Sequence, residues 1–185
     1  MGSFNFKNLF VYDLANNHQG DLKHAKEIVN KIGIISEKRK IRGVLKLQFR
    51  NLDTFVHKNF LEDKSNSNIQ RFLSTKLKWN EYAEIHDTIK KSKMLSMCTP
   101  FDEDSVDKVE EMKFDLIKVA SCSADDWPLL EKISQSGLPV IVSTGGLLIE
   151  EIDKLVSFFE HKGSDFAIMH CVSIYPTPAE ASQLN

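Results

Sequence analysis

FDLIKVASCSADDWPLLEKISQSGLPVIVSTGG, residues 114–146, consists of two apolar runs separated by one helical pattern. The runs FDLIKVAS and LPVIVSTGG have the length and β-branched content of buried strands. Between them, Pro128 stands near the start of DWPLLEKISQSG and Gly137 stands at its end, an asymmetry that is typical of an α-helix. The segment therefore predicts two parallel strands that are joined by a helix.

The same alternation continues in both directions from this unit. NLFVYDLA, GVLKLQF and MLSMCTPF are predicted strands before it, DFAIMHC is a predicted strand after it, and helical patterns separate them. Gly33 is expected to end the first helix, and residues 50–76 are polar without a clear period. Six βα units in a row predict a parallel sheet covered by helices, either an open doubly wound sheet or a (β/α)₈ barrel.

Polar and reactive side chains follow all six predicted strands. In chain order these residues are Asp13, Asn16, Asn17 and His18; Lys46 and Gln48; Thr99; Lys118, Ser121 and Ser123; Ser143 and Thr144; His170, Ser173 and Tyr175. An open sheet gathers its chemistry at one switch point, whereas a barrel directs every carboxyl end to one central site. Six such ends favour a (β/α)₈ TIM barrel, of which about six βα units are present.

Composition excludes several classes of function. The net charge of −2 is unsuited to binding nucleic acid or an anionic membrane. The apolar runs are too short to span a bilayer, and MGSFNFKNLF has no signal-peptide core. Cys98, Cys122 and Cys171 contain no CxxC pair, so we expect reduced thiols that serve as small packing residues. A cytoplasmic protein is expected.

Two lysines within apolar strands predict an anion site. Lys46 and Lys118 would be buried at the barrel mouth, and a buried lysine needs a partner. Hydroxyl groups of Thr99, Ser121 and Ser143 would join them, which suits a phosphate or carboxylate. Either lysine taken alone could instead point to solvent from a strand edge.

The histidines leave alternatives open. His18, in NNHQG, is either a turn residue or a site residue, with Gly20 completing the turn. His170 ends an apolar strand and could be a core histidine. The remaining histidines are predicted to lie at the surface; they are His24, His57, His86 and His161. No HxH or HExxH pair is present, which gives metal binding by these residues weak support.

Several segments, in order, match motifs that belong together. VYDLANNHQGDLKHA is similar to AEIGxNHxGD, VLKLQF to VKFQ, and CTPFDEDSVD to STPFDxxSVD. IKVASCSADDWPLL is similar to KIASGExxNxPLL, GLPVIVSTGGLLIEEI to GKPVILSTGMATxxEI, and MHCVSIYPTPAEASQLN to LHCTSxYPxPxExxNLN. These motifs cover almost the whole chain and resemble the N-acetylneuraminate (sialic acid) synthase family, which includes related nonulosonic acid synthases.

The resemblance implies a TIM-barrel catalytic domain that condenses phosphoenolpyruvate with an N-acetylated amino sugar such as N-acetylmannosamine and releases phosphate. It implies a divalent cation, Mn²⁺ or Mg²⁺, that activates the sugar aldehyde. The catalytic residues implied are Asp13, Lys46, Lys118 and Tyr175. The substrate-binding residues implied are Asn17, His18, Gln48, Thr99, Ser121, Ser123, Ser143 and Ser173.

Some positions depart from the family motifs. Asp13 stands where the family has glutamate, Ser123 where it has an acid, and Gly146 where it has methionine. A different sugar substrate or a weakened enzyme would explain these changes. A barrel needs eight strands and about 250 residues, so we expect residues 1–185 to be a catalytic domain truncated before strands 7 and 8.

The resemblance also implies features outside this sequence. The family's metal-binding histidines would lie beyond Asn185, with no metal ligand within the chain, and a C-terminal antifreeze-like (SAF) domain would be absent. The full-length form would be a homodimer. Two further classes stay open: another phosphate-binding barrel enzyme, such as a 3-deoxy-sugar-acid synthase or a Schiff-base aldolase that uses Lys118 or Lys46, and a non-catalytic sugar-binding or partner subunit.

Overall fold

The computed structural model describes residues 3–60, 65–174 and 176–184. Its sheet contains six parallel strands in the order β1-β2-β3-β4-β5-β6. The strands are β1 Leu9–Asp13, β2 Arg42–Phe49, β3 Leu95–Pro100, β4 Leu116–Val119, β5 Val140–Ser143 and β6 Phe166–Met169. Every strand pairs with the next one along the chain, so the described sheet has no reversal and hence no switch point. The fold is an incomplete (β/α)₈ barrel, as the polar residues at the ends of all six strands predicted.

Helices follow the strands. They are α1 Leu22–Arg39, α2 Leu52–Phe55, α3 Ser67–Ser74, α4 Trp79–Lys91, α5 Glu103–Glu111, α6 Trp127–Gln135 and α7 Ile149–His161. Aspartate side chains cap several of the amino ends: Asp21 accepts from His24 N, Asp102 from Ser105 N, and Asp126 from Leu129 N. Such caps satisfy backbone donors that a helix leaves free at its start. No helix in the described ranges is both long and apolar enough to cross a bilayer.

The prediction that Gly33 ends the first helix is wrong. Gly33 lies inside α1, which ends instead at Arg39 and is capped by Lys40 in a left-handed conformation with a φ of 53°. A β-carbon built on Gly33 would lie 2.7 Å from the Ser92 β-carbon at the end of α4. The glycine therefore allows α1 and α4 to approach closely, a tertiary demand that the helical pattern alone does not reveal.

The described residues of the stretch 50–76 contain more regular structure than its lack of period indicated. It contains α2, α3 and a 3₁₀ turn at Lys58–Phe60. Asn66 caps α3 through its side chain, which accepts from Asn68 N and Ile69 N. α2 has four residues and α3 has eight, which is too short for a helical period to be recognised from the sequence.

Two hydrophobic clusters lie on opposite faces of the sheet. The large one fills the space between the strands and the helices and includes Leu45, Leu47 and Phe49 of β2. The small one, on the other face, consists of Val44, Met97, Leu116 and Ile141, with Phe4 and Phe6 packed against it. Because alternate residues of a strand share a face, the small cluster identifies the residues that point into the barrel.

Candidate functional site

The barrel interior leads from the small cluster to polar side chains at the carboxyl ends of the strands. Lys46, Thr99, Lys118 and Ser143 each stand two residues beyond a member of that cluster, so all four point to the same face. All four are buried. The strand register places Asp13 opposite Lys46 and Gln48 opposite Thr99. The alternative in which these lysines point to solvent is therefore wrong.

Lys46 has a carboxylate partner. Its Nζ lies 2.9 Å from Oδ1 of Asp13, whose side chain is half exposed whereas that of Lys46 is largely buried. The pair joins β1 to β2 across the barrel mouth and leaves one face of the Asp13 carboxylate open to solvent. Asp13 is thus in a position to orient Lys46 and also to meet a ligand.

Lys118 has no carboxylate within ion-pair distance in the described part of the chain. Its Nζ donates to the Val119 carbonyl at 2.5 Å and to Ser143 Oγ at 2.5 Å. Burial, and after it the positive charge of Lys46, lowers the pKa of Lys118 from 10.5 to about 8. A buried cation with neutral partners is costly, and a bound anion would relieve that cost.

Thr99 supplies an unused donor beside these lysines. Its Oγ1 is buried and has no hydrogen-bond partner among the residues that the structure describes. A buried hydroxyl without a partner costs about 1–3 kcal/mol. An anion at this level of the barrel would accept from Thr99 as well as from Lys118.

Three strand-end loops meet at Gly145. Its backbone N–H donates to Ser121 Oγ at 3.0 Å. A β-carbon built on Gly145 would lie 2.7 Å from Ser173 Oγ and 3.1 Å from the Cys171 β-carbon. The glycine therefore lets the loops after β4, β5 and β6 close around one point and brings Ser121 and Ser173 together.

Asn17 and His18 lie in the turn after β1. Asn17 Nδ2 donates to the Leu14 carbonyl at 2.9 Å, and His18 Nδ1 accepts from Gly20 N at 3.1 Å. His18 is fully buried with its ring 6.0 Å from that of Tyr82, on the helix-covered side. Burial, and then the charge of His24, lowers its pKa. These contacts support the turn interpretation of His18, and Gly20, with a φ of +74°, completes the turn.

The other predicted residues are placed as follows. Ser123 is buried in a 3₁₀ turn with its Oγ 4.0 Å from Cys122 Sγ, and Thr144 Oγ1 donates to the Met169 carbonyl at 3.1 Å. His170 is exposed in the described chain, directly after the edge strand β6, and its Nε2 lies 3.2 Å from the Ser182 carbonyl oxygen. Tyr175 lies outside the described residues, and its role stays a prediction.

Two surface and packing predictions are wrong in part. His86 is buried, with Nε2 3.1 Å from Ser96 Oγ and its ring 4.4 Å from that of Phe114. The predicted surface position overlooked the helical face that α4 turns to the sheet. Cys98 is buried as expected, whereas Cys122 is exposed and Cys171 half buried. The latter two stand on the strand-end loops, which leave the packed layer.

Arg50 is a prominent residue that the sequence did not single out. It directly follows β2, two residues beyond Gln48, and its Nη1 donates to Gln48 Oε1 at 3.2 Å. Burial lowers its pKa to about 10. Its place after a strand end was the available signal, but the polar stretch that it begins concealed it.

The fold and site define a class of protein: a (β/α)₈-type barrel with a buried cationic site at its mouth. A model of the NeuB family matches residues 39–185, and the chain belongs to this family. The N,N'-diacetyllegionaminic acid synthase of Campylobacter jejuni is 25% identical over 188 residues, which cover 93% of this chain and 53% of that protein.

Solved structures agree. A candidate spore coat polysaccharide biosynthesis protein E of Chromobacterium violaceum has a TM-score of 0.93 and 42% identity, covering 96% of this chain and 53% of that one. An N-acetylneuraminic acid synthetase of Leptospira borgpetersenii, in complex with citrate, has a TM-score of 0.82 and 28% identity, covering 96% and 58%. The chain spans about half the length of the curated relatives it matches.

Proposed function

We propose that the protein acts in nonulosonic acid synthesis and binds phosphoenolpyruvate at the barrel mouth, where it condenses with an N-acetylated amino sugar such as N-acetylmannosamine. The observation that carries this proposal is Lys118, a buried cation without a carboxylate partner in the described chain, beside the unpartnered hydroxyl of Thr99. Membership of the NeuB family and relatives named as nonulosonic acid synthases support it.

The residues would divide the work by charge. Lys118 and Lys46 would hold the phosphate and carboxylate of phosphoenolpyruvate, and Thr99 and Ser121 would donate hydrogen bonds to the same anions. Ser143 would position Lys118 through their existing hydrogen bond. Asp13 would orient Lys46, and its open carboxylate face would meet the reacting centre.

In the proposed reaction, carbon 3 of phosphoenolpyruvate attacks the aldehyde of the open-chain sugar, and the aldehyde oxygen takes up a proton. Water then adds at carbon 2, and inorganic phosphate leaves. Gln48, Ser173 and Tyr175 would contact the sugar, with Asn17 and Ser123 as the remaining proposed binding positions. The products would be a nine-carbon 2-keto acid sugar and phosphate.

The family resemblance implies Mn²⁺ or Mg²⁺, but the described residues do not fit such an ion. They contain no group of three or more His, Cys, Asp or Glu side chains that could hold a metal. No step of the proposed reaction is assigned to a metal held by these residues. A divalent cation stays part of the proposal, as does the homodimer.

The direct test is release of phosphate from phosphoenolpyruvate. We expect release only when N-acetylmannosamine and Mn²⁺ or Mg²⁺ are present, and none from Lys118→Ala. Lys132→Ala, which removes a partly exposed lysine paired with Asp107 on the helix-covered side, is the matched control and should retain full activity. Phosphate release that is independent of the sugar would contradict the proposal.

A binding or partner role is the second candidate, because the buried Ser123 stands where the family motif has an acid. Bound phosphoenolpyruvate without any phosphate release would favour it. The lowered pKa of Lys118 also suits a Schiff-base aldolase. Borohydride trapping of pyruvate on Lys118, seen as a mass increase on that residue, would favour an aldolase over the synthase.

A further inference from the structure

A cavity adjoins the barrel mouth on the side of β2. It has a volume of about 220 Å³ and is lined by residues that include Asn16, Gln48, Arg50, Lys76, Trp79 and Tyr82. Asn16 belongs to the turn after β1, and Gln48 points to the same face as Lys46. The cavity therefore adjoins the part of the site where the sugar is proposed to bind, because Gln48 belongs to both.

The guanidinium of Arg50 lies over aromatic rings. Its Cζ lies 3.7 Å from the ring centroid of Phe101 and 4.2 Å from that of Phe72. This stacking fixes the plane of the group, so its N–H donors act only at the edge. One of those donors, Nη1, donates to Gln48 Oε1 at 3.2 Å.

One donor on that edge has no partner among the described residues. Nε is buried and has no hydrogen-bond partner in the part of the chain that the structure describes, where Arg50 also has no carboxylate within ion-pair distance. The nearby Asp102 carboxylate is already engaged, because its oxygens accept from Asn51 N and Ser105 N. The guanidinium of Arg50 is thus held in place by the rings and has an N–H donor without a partner.

The net charge of the cavity lining is positive. Its lining contains three cations, Arg50, Lys76 and Lys78, against the single carboxylate of Asp53. Asp53 pairs with Lys76 at 3.0 Å and leaves Arg50 unmatched.

A purely structural role does not explain a charged residue at this place. An apolar side chain would pack beside Phe72 and Phe101 without placing a charge in a half-buried position, where loss of hydration has a cost. A planar guanidinium does suit a carboxylate or a phosphate, because it can bind either through two parallel hydrogen bonds.

From these observations we infer that Arg50 binds an anionic group, a carboxylate or a phosphate, on the acceptor sugar, so that the preferred acceptor is a charged amino sugar. This inference rests on the proposed function, because it assigns the acceptor of the same site. Gln48 would hold Arg50 in register with the sugar, and Trp79 would form part of the wall.

The test compares three sugars by calorimetry: N-acetylmannosamine, its 6-phosphate and the corresponding 6-uronic acid. We expect at least one charged sugar to bind at least tenfold more tightly than the neutral one. Preference for the phosphate or for the uronic acid identifies which anion is recognised. Equal affinity for all three would overturn the inference.

Variants locate the effect. In Arg50→Gln the ratio of the affinity for the charged sugar to that for the neutral sugar should fall at least tenfold, while the affinity for the neutral sugar stays within twofold of the wild type. Arg50→Lys keeps the positive charge but not the planar guanidinium, so it should retain part of the preference. Arg71→Gln is the matched control, because Arg71 also stacks on Phe72, at 5.4 Å, but is exposed. A preference that persists in Arg50→Gln would overturn the inference, as would equal weakening of all three sugars.

Two further readouts separate this inference from the proposed function. In a Trp127→Phe background, which leaves Trp79 as the only tryptophan, the charged sugar should change the tryptophan fluorescence; no change on binding would contradict the cavity as the place of binding. Phosphoenolpyruvate affinity, measured in the same variants, should be unaltered by Arg50→Gln. Absence of phosphoenolpyruvate binding in the wild type would contradict the proposed function alone.

Discussion

Lys118 shows how a single residue connects the sequence to the site. A lysine flanked by Ile117 and Val119 in an apolar strand predicted a buried cation, and the structure confirms the burial. Its partners, the Val119 carbonyl and Ser143 Oγ, are neutral and do not compensate its charge. Such a residue lowers stability, and binding of an anion is a reason to retain it.

Lys118→Met should be more stable than the wild type at pH 7. The pKa of Lys118 is about 8 in the folded state and 10.5 in the unfolded reference. Between these values the unfolded chain binds the extra proton, so the penalty is fully present below about pH 8 and fades as the pH rises towards 10.5. We expect an advantage of roughly 2–3 kcal/mol at pH 7.

Urea unfolding of both proteins at pH 7 and at pH 9.5 measures this difference. The advantage of Lys118→Met should shrink at the higher pH because the wild type gains stability. A variant that is less stable than the wild type by the same amount at both pH values would show that Lys118 is buried without penalty.

At the scale of elements, close contacts between helices and loops decide features that local patterns miss. Gly33 is the case for helices, because it permits the contact between α1 and Ser92. Asp102 is the case for loops, because its carboxylate both caps α5 and accepts from Asn51 N before α2.

Gly33→Ala should destabilise the protein by about 1–2 kcal/mol, although alanine is the better helix former by up to about 1 kcal/mol. The added β-carbon would lie 2.7 Å from that of Ser92. Ser92→Gly removes the opposing atom, so the double variant should recover most of the loss. Thermal unfolding of the three variants gives the coupling; additive losses would contradict the close contact.

Asp102→Ala should be more destabilising than Asp126→Ala. Both remove the cap of a helix, worth about 1 kcal/mol, but only Asp102 also binds a second backbone N–H, that of Asn51. We expect the difference between the two variants to be about 1 kcal/mol by chemical denaturation. Equal losses would mean that the bond to Asn51 contributes nothing.

The sequence predicted the six strands and their helices because each strand is a continuous apolar run with a distinct end. For each lysine taken singly, the sequence left both the barrel mouth and a solvent-facing strand edge open. The structure decides for the barrel, because Lys46 and Lys118 each stand two residues beyond a member of the inner cluster. The sequence did not predict α2, α3 or the importance of Arg50. The importance of Arg50 depends on Phe72 and Phe101, which come together with it only in the fold.

At the scale of the whole molecule, two hydrophobic layers on opposite faces of one sheet organise the protein. The outer layer lies under the helices, and the inner one is small. The amino-terminal segment closes the inner layer from the end opposite to the site: Phe4 N donates to Asp165 Oδ2 at 2.7 Å, and Arg42 lies over the Phe4 ring at 5.3 Å.

Replacing Phe4 and Phe6 together by alanine should lower the stability of the whole protein by about 2–4 kcal/mol, because both rings are partly buried against the inner cluster. Phe10→Ala, at an exposed phenylalanine of β1, is the control and should lose less. Equal losses, measured by urea unfolding, would mean that the amino-terminal segment does not cover the barrel interior.

Calorimetric titration with phosphoenolpyruvate tests the central claim most directly. We expect the wild type to bind at pH 7, with weaker affinity above pH 8 as Lys118 loses its proton. Lys118→Ala should abolish binding or weaken it at least tenfold, and Lys132→Ala should bind like the wild type. Unchanged binding by Lys118→Ala would contradict the assignment of the barrel mouth as the anion site.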